Sequence, residues 1–141
     1  MKIHVVISLI VALLLAFVPG ISNAAKANKF GAVYVMTNSP EENRIAVFER
    51  DSEGMLTPSG SYATGGKGSG GGIDPLASQG ALIRSDNNDW LMAVNAGSND
   101  ISLFSIKRRD VKYPPELILK DRIDSGGVFP SSLALEFFQA A

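Results

Sequence analysis

Residues 90–106 read W-L-M-A-V-N-A-G-S-N-D-I-S-L-F-S-I, which are two short apolar runs joined by a polar tip. The first run, residues 90–94, is rich in side chains that suit a pleated, half-buried surface. The second run, residues 101–106, places small serines between larger apolar residues. The tip contains Asn, Gly and Asp, which tolerate positive φ and hydrogen-bond their own backbone. Two such runs around a Gly-containing tip predict a β-hairpin.

The same pattern occurs earlier in the chain, where V-Y-V-M-T-N and I-A-V-F-E-R flank another polar tip. In this alignment Asn38 matches Asn95 and Phe48 matches Phe104, at offsets of 57 and 56 residues. Both copies continue to a Gly-Gly pair and then to an X-Pro step. Self-similarity at a fixed period, with about four short strands in each unit, is typical of propeller blades. The sequence therefore predicts an all-β chain that forms a partial β-propeller of about two four-stranded antiparallel blades.

The two units predict strands at residues 31–38, 45–50, 55–62, 81–83, 90–94, 101–106 and 117–123. A short apolar run at residues 133–135 predicts the first strand of a third unit. No inner strand precedes residue 31 and the third unit is incomplete, so we expect an N-terminal piece of a longer propeller. Residues 65–72, G-G-K-G-S-G-G-G, predict an exposed and flexible connection. Gly follows Lys67 where a phosphate loop needs Ser or Thr, which argues against nucleotide binding there.

The N-terminus has the three parts of a secretory signal peptide. Lys2 supplies the positive charge, residues 3–18 are almost wholly apolar, and residues 22–24, S-N-A, provide small residues for cleavage. We therefore predict a signal peptide at residues 1–24 and the propeller blades at residues 25–141, in a secreted or periplasmic protein. The alternative is an uncleaved anchor, although the apolar run is short for a bilayer span of roughly 20 residues.

Composition narrows the chemistry of the mature chain. The 141 residues carry 13 Lys and Arg against 14 Asp and Glu, a net charge of −1, which gives no reason to expect nucleic acid or an anionic membrane as partner. Cysteine is absent, and the single histidine, His4, leaves with the signal peptide. Ser-His-Asp catalysis, Cys-His catalysis and the usual zinc ligand sets are therefore excluded. We expect no cofactor and no stable membrane span after cleavage.

The order and spacing of the motifs resemble the N-terminal part of a secreted lactonase family. The motifs are G-A-V-Y-V-M-T-N, I-A-V-F-E-R-D, W-L-M-A-V-N-A-G-S-N-D-I-S-L-F and I-D-S-G-G-V-F-P-S-S-L-A-L. The family has a seven-bladed propeller related to 6-phosphogluconolactonase and 3-carboxymuconate cyclase. The resemblance implies hydrolysis of a lactone, or lactonising cyclisation of a muconate, with a lactone or sugar acid as the small-molecule partner. The family's acid–base residues lie in later blades, so the resemblance identifies no catalytic residue in this chain.

Four polar residues are candidates for lining the central channel of such a propeller: Asp74, Gln79, Arg84 and Asn95. The alternative is that these side chains satisfy backbone groups of loops, which must be paired when they are buried. Two other hypotheses compete with the lactonase: a propeller that binds a partner without catalysis, and a truncated chain with no activity of its own. Open blade edges should also favour self-association.

The signal-peptide hypothesis predicts cleavage after Ala24 or Ala25. Intact-mass measurement or N-terminal sequencing of exported protein should find a chain that begins at Ala25 or Lys26. Exported protein that retains residues 1–17 would support the uncleaved anchor instead.

Overall fold

The computed structural model describes residues 31–71, 79–108 and 113–136 and contains two antiparallel β-sheets. The predicted signal peptide and Asp74 lie outside these described residues. The seven strands are β1 Gly31–Met36, β2 Arg44–Arg50, β3 Leu56–Ala63, β4 Leu82–Arg84, β5 Trp90–Asn95, β6 Asp100–Lys107 and β7 Glu116–Asp124. The first sheet has the order β1-β2-β3 and the second has the order β4-β5-β6-β7. The all-β prediction is confirmed.

The strand predictions differ from the structure in two places. Among the described residues, the first sheet has three strands rather than the four of a complete blade, because no counterpart of β4 precedes β1. Residues 133–135 form no strand, although Leu133 N donates a 2.9 Å hydrogen bond to Gly80 O. A strand needs a partner along its length to satisfy its backbone groups, and this single ladder-like bond does not extend. Pro58 lies in β3, an edge strand of the first sheet, which suits a residue without a backbone N–H.

The repeat is visible in the strand registers. β2 has a register irregularity between Val47 and Phe48, and β6 has one between Leu103 and Phe104. Each irregularity lies where the middle strand of a hairpin pairs with the outer strand. A bulge increases the local twist, so both sheets change direction at equivalent positions. This coincidence fixes an offset of 56 residues between β2 and β6, as the Phe48–Phe104 alignment predicts.

The first hairpin tip is longer than the sequence alignment implies. Met36 pairs with Ile45, while Val94 pairs with Ile101. The first tip therefore has two more residues than the second, rather than one. As a consequence Thr37, and not Asn38, occupies the ladder position that corresponds to Asn95. The sequence of the tip between β1 and β2 does not determine how many residues the tip contains, so this register could not be predicted.

The core lies between the two sheets and is built from alternate residues of their strands. Register pairs such as Met36 with Ile45 and Leu91 with Phe104 place both side chains on the same face. The buried members are Met36, Ile45, Val47, Ala81, Leu91, Ala93, Phe104, Ile106 and Leu117. Ala32, Tyr34, Tyr62 and Leu82 pack against them and are partly buried.

Apolar residues also occupy the two faces that point away from this core. On β1 and β2 the outward residues include Val33, Val35 and Phe48, and on β5 and β6 they include Met92 and Leu103. An antiparallel sheet with one solvated face normally alternates apolar and polar residues. Both sheets instead carry apolar side chains on both faces.

The part of the chain that the structure describes contains no helix with the length and apolar character needed to cross a bilayer.

The repeat supplies a matched pair of core substitutions. Phe104 is 1% exposed between the sheets, whereas its counterpart Phe48 is half-buried on an outward face. We expect Phe104→Ala to destabilise the chain by about 3–5 kcal/mol, because the cavity lies in closed core, and Phe48→Ala to cost less. Urea unfolding followed by circular dichroism, in dilute solution, measures both. Equal costs would contradict the assignment of inner and outer faces.

Candidate functional site

Five buried polar residues meet where the two hairpin tips and the chain after β3 come together. We call them the inter-sheet polar cluster: Asn43, Thr64, Asn95, Asp100 and Ser102. Asn95 ends β5 and Asp100 begins β6, so the two are paired across the second hairpin. Asn43 precedes β2 and Thr64 follows β3. The cluster therefore joins the first sheet to the second at one end of the core.

The side-chain amide of Asn95 is the centre of this cluster. Its Oδ1 accepts hydrogen bonds from Asn43 Nδ2 at 2.9 Å and from Thr64 Oγ1 at 2.7 Å. Its Nδ2 donates to Asp100 Oδ1 at 2.6 Å and to Ser102 Oγ at 2.7 Å. A side-chain amide has two donors and two acceptor positions, so all four are used. The orientation of the amide is determined by charge, because a rotated amide would place its oxygen against the Asp100 carboxylate.

Asn43 connects Asn95 to the first hairpin tip. Its Nδ2 also donates to Val94 O at 3.2 Å, and its Oδ1 accepts from Asn38 N at 3.0 Å. Asn38 has a φ of 53°, a left-handed conformation that Asn adopts more readily than most residues. The backbone of Asn43 accepts a 2.9 Å hydrogen bond from Thr64 N. The side chain of Asn43 thus contacts both hairpins.

The remaining members complete the hydrogen bonding of the cluster. Ser102 Oγ donates to Thr64 O at 2.8 Å while it accepts from Asn95. The second carboxylate oxygen of Asp100 accepts from Arg122 Nη1 at 3.4 Å, and the same nitrogen donates to Gly65 O at 2.6 Å. Arg122 is half-exposed, so the charge of Asp100 is balanced from the solvent side. No buried side-chain nitrogen or oxygen in the described part of the chain lacks a partner.

The glycine-rich stretch at residues 65–72 is exposed only in part, which corrects part of the prediction. Gly66 and Gly68 are buried, whereas Gly65, Lys67, Gly70 and Gly71 are exposed, and Gly72 lies outside the described residues. Gly68 N donates to Ser39 O at 2.7 Å, and Lys67 O accepts from Gly97 N at 2.9 Å. A Cβ on Gly66 would lie 2.5 Å from Asn95 Cγ and 2.6 Å from Asp100 Oδ1. Composition indicated mobility, but these glycines allow the chain to pass between the two hairpin tips at backbone contact.

The structure separates the candidate channel-lining residues. Asn95 is fully buried in the cluster, and Gln79 is exposed near the same end of the sheet, two residues before Ala81. Arg84 is exposed and pairs with Leu91, at the opposite end of β5. Four residues of strand separate Leu91 from Asn95, which is about 13 Å. Asp74 lies outside the described residues.

Arg84 instead lies in the electrostatic environment of Tyr34. Burial raises the pKa of the Tyr34 hydroxyl above its ordinary value. The positive charges of Arg108 and Arg84 oppose this shift, because they favour the tyrosinate. Two guanidinium groups therefore act on a half-buried hydroxyl at the end of the interface opposite the polar cluster.

The chemistry of the inter-sheet polar cluster is that of a connector. Every acceptor and donor of Asn95 faces another group of the chain, so the cluster can fix the position of one sheet on the other. Among the described residues, no group of three or more His, Cys, Asp or Glu side chains is arranged to hold a metal ion. Searches of protein-family models, of curated proteins and of solved structures found no match to this chain.

Asn95 is the one member of the inter-sheet polar cluster among the site residues predicted from the sequence. The available signal for the other members was the small polar residue Ser102 in an otherwise apolar strand, together with Asn43 and Asp100 at the hairpin tips. Thr64 gave no signal, because its neighbours are turn residues. Only the stacking of the sheets brings it within 2.7 Å of Asn95.

Two glycines at equivalent places in the repeat test the cluster. A Cβ on Gly66 would overlap Asn95 and Asp100, whereas a Cβ on Gly127 meets no atom within 4 Å. We expect Gly66→Ala to lower the free energy of unfolding by about 1–3 kcal/mol through overpacking, and Gly127→Ala to change it by less than about 0.5 kcal/mol. Urea unfolding in dilute solution measures both variants. A neutral Gly66→Ala would show that the cluster does not constrain the sheets.

Proposed function

We propose that the chain is the N-terminal part of an exported β-propeller of the lactonase and carboxymuconate cyclase kind, which acts on a lactone by hydrolysis or lactonising cyclisation. The observation that carries the propeller assignment is the pair of sheets with apolar side chains on both faces. A two-sheet sandwich needs only one apolar face per sheet. Blades around a propeller axis need two, because each blade packs on a neighbour at either side.

The recurrence of features between the sheets supports the same assignment. Thr64 N donates to Asn43 O, and Ser125 N donates to Asn99 O, each at 2.9 Å. Gly65 and Gly126, which follow, have φ of 78° and 74°. Units that repeat their backbone geometry as well as their sequence are expected in a propeller.

The lactone specificity rests on the sequence resemblance and on the predicted signal peptide. Channel-lining side chains would come from inner strands, and β4 is the inner strand among the described residues. Arg84 ends β4 and Gln79 precedes it. A guanidinium group could bind the carboxylate of a sugar acid or the phosphate of a phosphorylated one. The general acid and base of the reaction would come from later blades, so this chain alone should be inactive.

A binding propeller without catalysis is the second candidate. The observation that favours it is that Asn95, a candidate for lining the channel, has all its donor and acceptor positions paired within the protein. A polar group that is fully paired within the protein has no free donor or acceptor for a reacting molecule.

An activity assay tests the first part of the proposal. We expect the exported chain to hydrolyse neither δ-gluconolactone nor 6-phosphogluconolactone above the rate in buffer, as measured by pH-stat titration of the released acid. Robust turnover that a single substitution in this chain abolishes would overturn the assignment of the chemistry to later blades.

A binding experiment separates the two candidates. Titration of the isotope-labelled chain with gluconate or 6-phosphogluconate should shift the backbone amide signals of Gln79 and Arg84 but not that of Thr57 on the outer strand. Arg84→Ala should weaken the binding, whereas Arg44→Ala, a control at another surface, should not. If neither sugar acid nor lactone perturbs β4, the lactone proposal fails and the binding propeller is favoured.

A further inference from the structure

The two outward faces of the sheets are apolar and partly exposed. Open face 1, on the first sheet, comprises Val33, Val35, Ala46 and Phe48. Open face 2, on the second sheet, comprises Trp90, Met92, Ile101, Leu103 and Ile123. Val35 on the first is 47% exposed and Ile123 on the second is 56% exposed. A sheet face of this kind usually packs on another surface.

Open face 2 repeats the face by which the first sheet packs on the second. The 56-residue offset set by the two bulges matches Ile101 with Ile45 and Leu103 with Val47. Ile45 and Val47 are buried core residues on the inner side of the first sheet. The second sheet therefore presents outward the same kind of surface that the first sheet uses to cover its neighbour.

Open face 1 repeats the inner face of the second sheet, which is the other side of the same interface. The pair Val33 with Phe48 corresponds to Leu91 with Phe104, which is buried on the inner side of the second sheet. The described residues therefore carry each of the two surfaces of the sheet interface twice. One copy of each is buried between the two sheets, and the other copies are open face 1 and open face 2.

We propose that a second copy of this chain docks its open face 1 on open face 2 and so reproduces the packing between the two sheets. The contact is heterologous, because two different surfaces meet, and each copy has one of each. Repeating the rotation between the sheets closes a ring when the angles sum to a full turn. Propellers close with 4–8 sheets, so the two described sheets of each copy give a ring of about two to four copies.

Two further features fit this occupant. The net charge of −1 produces little repulsion between copies. The turn at Gly126 and Gly127 is open, with no atom within 4 Å of a Cβ at either position. Gly65 and Gly66, its counterparts, are covered by the second sheet. The turn therefore has room for the hairpin tip of an incoming sheet.

The contact between copies should be weaker than the contact within the chain. At the positions of Asn95, Asp100 and Ser102, the first sheet carries Thr37, Arg44 and Ala46. The amide and the carboxylate that complete the inter-sheet polar cluster are therefore replaced. Apolar burial remains, so the association should depend on protein concentration. The inference concerns the chain of 141 residues and does not depend on the lactone chemistry. In a longer propeller, the next blade of the same chain would cover open face 2 in place of the second copy.

Sedimentation velocity on the full chain, purified from the exported fraction, tests the proposal. Val35→Lys alters open face 1 only, and Ile123→Glu alters open face 2 only. We expect the unchanged chain to form a discrete oligomer of two to four copies as concentration rises, and each variant alone to remain a monomer. An equimolar mixture of the two variants should form a dimer and grow no further, because one intact face 1 meets one intact face 2.

The control is Met55→Lys, which places the same charge on a 66% exposed residue of the β2–β3 turn and should assemble like the unchanged chain. Circular dichroism establishes that each variant folds, and Val33→Lys with Trp90→Glu is a second pair on the same faces. An unchanged chain that is monomeric at all concentrations would overturn the proposal. So would a single variant that still self-associates, a mixture that stays monomeric, or a chain that forms only open-ended aggregates.

Discussion

The constraint on which this structure depends is that each sheet must cover two apolar faces. One face of each is covered within the chain, by the packing of Ile45 and Val47 against the residues around Phe104. Burial of an apolar side chain of this size contributes about 1.5–3 kcal/mol. The folded state of the described residues therefore rests on one interface between two sheets. Their outward apolar faces could form further interfaces of the same kind.

Hydrophobic burial alone does not determine how one sheet lies on the other, because apolar contact has no direction. The inter-sheet polar cluster supplies the direction. Asn95 is paired at all its donor and acceptor positions, and its partners come from both sheets and from the chain between them. A shift of one sheet would leave buried polar atoms unpaired, at about 1–3 kcal/mol for each group. The glycines after Thr64 are part of the same arrangement, because a side chain at Gly66 would displace Asn95.

The inter-sheet polar cluster bears on function because its hydrogen-bonding groups are used within the chain. A polar cluster that is saturated internally serves the scaffold, and Asn95 has no free donor or acceptor for another molecule. The positive charges of Arg84 and Arg108 act on the half-buried hydroxyl of Tyr34. Under the proposed function, these guanidinium groups would suit an anionic ligand. The sheet faces, in contrast, suit apolar surfaces of the kind the chain itself carries.

The sequence by itself determined the strands, the two hairpins and the repeat, because strand alternation and turn chemistry are local and depend on residues close in the chain. It also matched Phe48 with Phe104, and it named Asn95 as a candidate channel-lining residue, which the structure buries in the inter-sheet polar cluster. The tertiary structure decided the partners of Asn95, the register of the first hairpin tip and the packing of the glycine-rich stretch. It also decided that residues 133–135 remain without strand pairing. These features depend on which surfaces meet across the core, and residues such as Thr64 and Asn95, 31 positions apart, become neighbours only when one sheet has closed on the other.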